Sequence, residues 1–226
     1  MMSFARPGML PGVTRAAAAA LSLVLPISCA GCDEPDVSLC PACLAALRPD
    51  PTRRGLDDGL TVHSGVGFTG VPARVLRAFK QDGRTTLARA LSESLRAAVA
   101  DAAAAAPFGS ASVAVVPVPS SRSALRRRGY DPAALIAVRA GLHPVRALRV
   151  AGIADQRGLG REERARNVAG SMSAGGVAGR CVIVVDDVVT TGATLREAAR
   201  ALRAAGATVL AAATVAATAQ RIPGSP

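Results

Sequence analysis

The stretch VIVVDDVVTTGATL, Val182 to Leu195, constrains this chain more than any other. Its apolar start is too uniform for a surface strand and reads as one buried on both faces. The run ends in two adjacent carboxylates, Asp186 and Asp187, followed by Thr190, Thr191, Gly192, Ala193 and Thr194. A helix begins there. Leu195, Ala198, Ala199 and Leu202 mark its inner face, Arg196, Arg200 and Arg203 its outer face, and Gly206 its stop. In open α/β sheets, ligands bind beyond the carboxyl ends of the strands. Two neighbouring acids there are tolerable when sugar hydroxyls or a hydrated Mg²⁺ supply donors or positive charge. The helix start offers free N–H groups to an anion, and the threonines add hydroxyls. A ribose 5-phosphate fits both halves of the turn.

The rest of the chain alternates. Strands are expected at 60–68, 112–119, 145–150, 180–186 and 207–218. Helices are expected from Pro72 to about Gly83, over 84–105 with Leu87, Leu91, Leu95 and Val99 stacked, from Pro132, and over 193–206. Residues 120–131 read as a basic loop. Residues 155–172 read as a long excursion over the site, with a short helix near Glu162 to Arg166. This pattern predicts an α/β fold, a parallel sheet flanked by helices. The expected divisions are a flexible leader (1–14), a short helix with a cysteine module (15–50), a linker (51–59) rich in Pro, Gly and charge, a main domain (60–220) and a tail (221–226).

Four of the five cysteines lie in CAGCDEPDVSLCPAC: Cys29, Cys32, Cys40 and Cys43. Two CxxC pairs at that separation can surround one structural Zn²⁺. Redox CxxC pairs or free surface thiols are the competing readings. Tight pairs and an odd total suit a reducing compartment, hence a cytoplasmic location. Cys181 reads as core, and His63 and His143 as structural. The apolar run Ala16–Leu25 is too short to span a bilayer. We read Arg15–Leu25 as a docked amphipathic helix, with no stable membrane insertion.

The Asp-Asp to Thr-Gly-Ala-Thr turn closely resembles the signature with which type I phosphoribosyltransferases bind 5-phosphoribosyl 1-diphosphate (PRPP). With VVPVPSSRSALRRRGYDPAAL, DQRGLGREERARNVAGSM and the cysteine-bearing start, in this order, the chain resembles the ComF family, also described as amidophosphoribosyltransferase-like, over about residues 15–218. The resemblance implies that Asp186 and Asp187 form the catalytic pair that holds the ribose hydroxyls. Thr190, Thr191, Gly192, Ala193 and Thr194 would hold the 5-phosphate. Pro117, Val118 and Pro119 would form the pyrophosphate-side loop, with Arg122, Arg126, Arg127 and Arg128 near the diphosphate. Lys80 matches a family lysine, and Gln156, Leu159, Arg164 and Asn167 match a later segment. The implied cofactors are structural zinc and Mg²⁺ with PRPP. Asp131-Pro132 stands where the family usually has Asn-Gln, and Asp155 where it usually has Thr. These are departures.

Two functions follow. One is Mg²⁺-dependent phosphoribosyl transfer from PRPP to an acceptor that the sequence does not name. The other is a non-catalytic accessory factor that binds single-stranded DNA beside the DNA-uptake machinery, as the ComF resemblance implies. The net charge of +11 suits a polyanion. Aromatic content of 2% gives a poor platform for stacking bases. Homo-oligomerisation is left open.

Overall fold

Alternate residues of the strand that carries the two aspartates, which runs on to Val189 rather than stopping at Asp186, face different hydrophobic cores. Val182 and Val184 enter one, Ile183 and Val185 the other, and all four are fully buried. A computed structural model describes residues 27–106, 113–150 and 170–219. The leader, the Arg15–Leu25 helix, Gln156, Leu159, Arg164, Asn167 and the tail lie outside them.

Five strands form the main sheet: β1 (Thr52–Gly55), β2 (Thr61–Gly67), β3 (Ala114–Pro117), β6 (Cys181–Val189) and β7 (Thr208–Ala217). Their order is β1-β2-β7-β6-β3, and only the β1–β2 pair is antiparallel. Helices α2 (Gly70–Gln81), α3 (Ala88–Ala104) and α5 (Pro132–Arg139) share a core with one face. Phe79, Leu91, Leu95 and Ile136 meet Ile183, Val185 and Val215 there. Helix α6 (Ala193–Ala204) covers the other face, with Leu195, Ala198 and Leu202 against Val116, Val182 and Val184. Each such valine or leucine contributes about 1.5–3 kcal/mol on burial. The chain thus builds two cores from small aliphatics with few aromatic rings.

Three expectations are corrected. Residues 51–59 are more than a linker. Thr52–Gly55 is an edge strand on β2, and Asp57 and Asp58 pair with Arg196 and Arg203 of α6. The basic stretch 120–131 is largely helix α4 (Arg122–Arg128). The Ser121 hydroxyl caps it, accepting from Ala124 N, and left-handed Gly129 (φ 77°) ends it. The strand near 145–150 shortens to β4 (Leu148–Val150) and stands outside the main sheet. It pairs antiparallel with β5 (Met172–Ala174). A five-residue helix, α1 (Pro41–Ala45), belongs to the cysteine module.

A buried carboxylate ties the β4–β5 ribbon to α6. Glu197 accepts from Met172 N at 2.9 Å and from Arg200, which also donates to Met172 O. The Arg200 guanidinium overcomes burial and lowers the Glu197 carboxyl to about 2. Its folded pKa is depressed, so its stabilisation is present above about pH 4.5 and lost as pH falls towards 2. Glu197→Gln is expected to destabilise the neutral protein by about 1–3 kcal/mol and to flatten the acid limb of the stability curve. Urea titrations from pH 7 to pH 3 check both effects.

Candidate functional site: an acidic strand end facing a basic wall

The carboxyl ends of β6 and β3 and the last turn of α2 enclose a cleft of about 620 Å³. Asp186, Asp187, Thr190 and Thr194 line one side. Val118, Pro119, Ser120 and Arg128 line another, and Phe68, Arg77, Lys80 and Gln81 a third.

The two aspartates are not equivalent. Asp187 is 5% exposed, and its carboxylate accepts from Lys80 Nζ at 2.8–2.9 Å. Asp186 Oδ1 accepts from Asp187 N at 2.8 Å. Burial first, and then the charge of Asp187, push the Asp186 carboxyl well above the usual carboxylate range. The pair therefore favours a single negative charge, balanced by one ammonium. A cation or a set of hydroxyl donors entering the cleft would ionise Asp186 further.

Thr190 and Thr194 bracket the turn into α6. Gly192 has φ +78°, and a Cβ there would stand 2.6 Å from Leu56 Cδ1. Thr191 Oγ1 accepts from Ala193 N at 3.3 Å, and Arg54 donates to Thr190 O at 2.9 Å. The loop is thus held from behind by residues following and within β1. Gly192→Ala is expected to cost about 1–3 kcal/mol through backbone strain and collision with Leu56. A lowered denaturant midpoint with intact helical content checks this.

Opposite the loop, Asp131 supports the second wall. Its Oδ2 accepts from Ser120 N at 2.8 Å and its Oδ1 from Ala134 N at 3.3 Å, capping α5, with Pro132 in the first turn. Acids at the end of β6, hydroxyls at the start of α6 and cations across the cleft suit a sugar carrying phosphates at both ends.

Residues 86–223 match the phosphoribosyl transferase domain. The chain belongs to this family. Among solved structures, it is similar to an allosteric regulatory enzyme of purine biosynthesis, with 24% identity and a TM-score of 0.33. That match covers 59% of this chain and only 25% of the other. It is also similar to an adenine phosphoribosyltransferase, with 15% identity, a TM-score of 0.38 and coverage of 79% and 90%. A third similar structure is the orotate phosphoribosyltransferase of Mycobacterium tuberculosis, with 18% identity, a TM-score of 0.36 and coverage of 77% and 93%. No curated protein matches.

The cleft gathers Asp186, Asp187, Thr190, Thr194, Val118, Arg128 and Lys80. Thr191, Gly192 and Ala193 shape the loop behind it without lining it. Pro117 faces an adjacent, more apolar hollow between α4, α5 and β4. Arg126 and Arg127 are exposed on α4 and stand outside the cleft lining. Arg54, Leu56, Ser120 and the capping role of Asp131 escaped the sequence reading. Asp131-Pro132 carried a usable signal, since Asp before Pro is a helix-start pair. Among the described residues, no helix is long and apolar enough to cross a membrane.

Beside this domain, the ligand atoms of Cys29, Cys32, Cys40 and Cys43 all lie within 4.8 Å of one another. A tetrahedron with Zn–S bonds of about 2.3 Å needs sulfur separations of about 3.8 Å, and Cys32 Sγ and Cys40 Sγ are 3.6 Å apart. Cys40 N and Gly31 N donate to Cys29 Sγ at 3.3 and 3.4 Å. Burial opposes the Cys29 thiolate, but these N–H groups, with that of Cys32, outweigh it and bring the thiol down to about 6. Burial and the neighbouring thiols push Cys43 up. A divalent cation relieves such a set by stabilising the thiolates. The donor set is the one zinc prefers, and four thiolates leave no open position for catalysis.

Proposed function

We propose that the cleft binds PRPP with Mg²⁺ and transfers its phosphoribosyl group to a small nucleophilic acceptor, in a protein of the ComF type. The observation that carries this reading is the meeting of Asp186 and Asp187 with Thr190, Thr194, Arg128 and Lys80 around one cleft. The aspartates would accept the ribose hydroxyls. Thr190, Thr194 and the first turn of α6 would take the 5-phosphate. Arg128, Lys80 and the backbone around Val118–Ser120 would face the diphosphate. During transfer, the bond from C1 to the diphosphate oxygen breaks, a bond from C1 to the acceptor forms, and pyrophosphate leaves. The chain's task is to position the reactants and to place cations where the leaving group gains charge. Mg²⁺, when bound, would neutralise the diphosphate; oxygen donors of the kind found at Asp186 and Asp187, with substrate phosphates and water, are its usual shell.

A second reading is favoured by one observation. Arg126 and Arg127 are exposed on α4 and stand outside the cleft lining, so they are free to grip single-stranded DNA as part of a DNA-uptake accessory role. Calorimetric titration of PRPP with and without Mg²⁺ tests the first reading, and the absence of Mg²⁺-dependent binding overturns it. Fluorescence anisotropy with an oligodeoxythymidine tests the second. Replacing Arg126 and Arg127 with Ala should weaken that binding several-fold and reduce its salt slope by about 2, leaving PRPP affinity unchanged.

A further inference from the structure

Of the 27 basic side chains, 26 are arginines, and Lys80 is the single lysine. A lysine is a compact point charge, whereas an arginine is a broad planar fork. This chain uses the compact form once, on the buried carboxylate of Asp187. Helix α2 makes that placement. Its apolar stripe of Ala73, Val75, Leu76, Ala78 and Phe79 is buried, and Lys80 follows in the last turn. The Tyr130 hydroxyl donates to Phe79 O, and the two rings lie 5.3 Å apart.

The same helix is bound to the cysteine module on both sides of Lys80. Val71, in its first turn, packs against Cys29, Cys40 and Cys43. Arg74 pairs with Asp33, the residue directly after Cys32 in the stretch between the two cysteine pairs. Arg84, just beyond the helix, donates to Ser28 O at 2.8 Å and to Ser38 O at 2.9 Å. Ser28 and Ser38 each lie within two residues of a cysteine. The module has a small cluster of its own, made of Cys29, Cys40 and Cys43 with Val37, Leu39 and Val71. The positions of its carbonyls therefore depend on what joins the four sulfurs.

We propose that the metal-bound cysteine module is a strut that holds Lys80 on Asp187, so that metal occupancy and sugar-phosphate affinity are coupled. Arg74 and Arg84 are positioning residues in this scheme. Metal in the module fixes their partners on both sides of Lys80, and α2 carries the constraint to the cleft. Coupling of this kind is reciprocal, with factors that commonly run from about 5 to 150. The affinity half of the proposal rests on the ribose-phosphate reading of the cleft; the placement of Lys80 does not.

The single lysine makes a direct test available, because Lys80 and the chain's terminal amine are the only acylatable amines. The zinc-loaded full chain is treated with an acetyl N-hydroxysuccinimide ester, and modification of Lys80 is followed by peptide mass spectrometry. Removal of zinc with a chelator should raise the rate about tenfold, and added zinc should restore it. Arg84→Ala, with its one equivalent of zinc verified, should raise the rate part of the way. Arg53→Ala, which breaks the remote pair with Asp101, should leave it unchanged. The Kd for Mg·PRPP should rise by a similar factor on zinc removal. Mg·PRPP should in turn tighten zinc against a chromogenic chelator by that same factor. A Lys80 rate that ignores zinc in a protein still folded by circular dichroism overturns the proposal. Should the zinc-free chain unfold, an unchanged rate in zinc-loaded Arg84→Ala and Arg74→Ala overturns it equally. A zinc-dependent Lys80 rate with an unchanged PRPP affinity overturns the coupling. A zinc-dependent rate in a chain that never binds PRPP removes the ribose-phosphate reading and leaves the strut standing.

Discussion

Asp187→Ala should raise the Kd for Mg·PRPP by at least about 100-fold. A buried carboxylate that accepts two sugar hydroxyls makes charge-assisted bonds of about 1.5–3 kcal/mol each, which together span about two to four decades. The substitution also strands Lys80, whose ammonium loses its 2.8 Å partner. Burial keeps the Asp186 carboxyl raised, but the substitution removes the second cause, the neighbouring charge, so Asp186 should ionise more readily. Asp187→Asn keeps the shape, loses the charge and should fall between Ala and the native residue. Calorimetry on both variants, with thermal midpoints as a folding control, checks the ordering. An unchanged Kd in folded Asp187→Ala would remove the aspartates from ribose recognition.

The second large effect is expected at the cysteine module. Cys43→Ser should reduce bound zinc from one equivalent to less than half, with the thiols kept reduced. The segment has almost no core of its own, and structural zinc supplies on the order of 10 kcal/mol of apparent folding free energy to small modules. Gly31→Ala should act the same way without touching a ligand, because an added Cβ would fall onto the Cys43 sulfur and crowd Val71. Metal analysis gives the stoichiometry. Hydrogen exchange of residues 27–47 should show protection lost in both variants, while β6 and β7 stay protected. Retention of a full equivalent of zinc by Cys43→Ser would break the four-ligand assignment.

What could be read from sequence was local. The strand β6, its acids and the amphipathic α6 are specified within a couple of dozen consecutive residues, and hydrophobic period alone sets their boundaries within a few positions. The cysteine spacing carried its geometry in the same way. What escaped was of two kinds. Helix α4 buries no residue, so it has no apolar period to detect; its Ser121 cap and Gly129 stop were the local signals it carried, and they went unread. The Lys80–Asp187 pair joins residues 107 positions apart, and Arg54 reaches Thr190 across 136. Such contacts depend on strand order, which local pattern leaves undetermined. The strand β1, reading TRRG, has no apolar alternation because it lies at an edge and pairs on one side only.

That edge has a consequence for how copies of this protein meet. A sheet invites foreign strands wherever its outer backbone groups stand unpaired. Here one flank ends in four residues, two of them arginine, with Arg53 locked to Asp101. The opposite flank, β3, spends an outward carbonyl on its own chain, since Val115 O accepts from Val145 N at 2.8 Å. Both margins are blunted against intermolecular zippering. Pairing of another copy's strand at either margin is thereby disfavoured, which protects an alanine-rich, mostly parallel sheet from aggregating through its flanks.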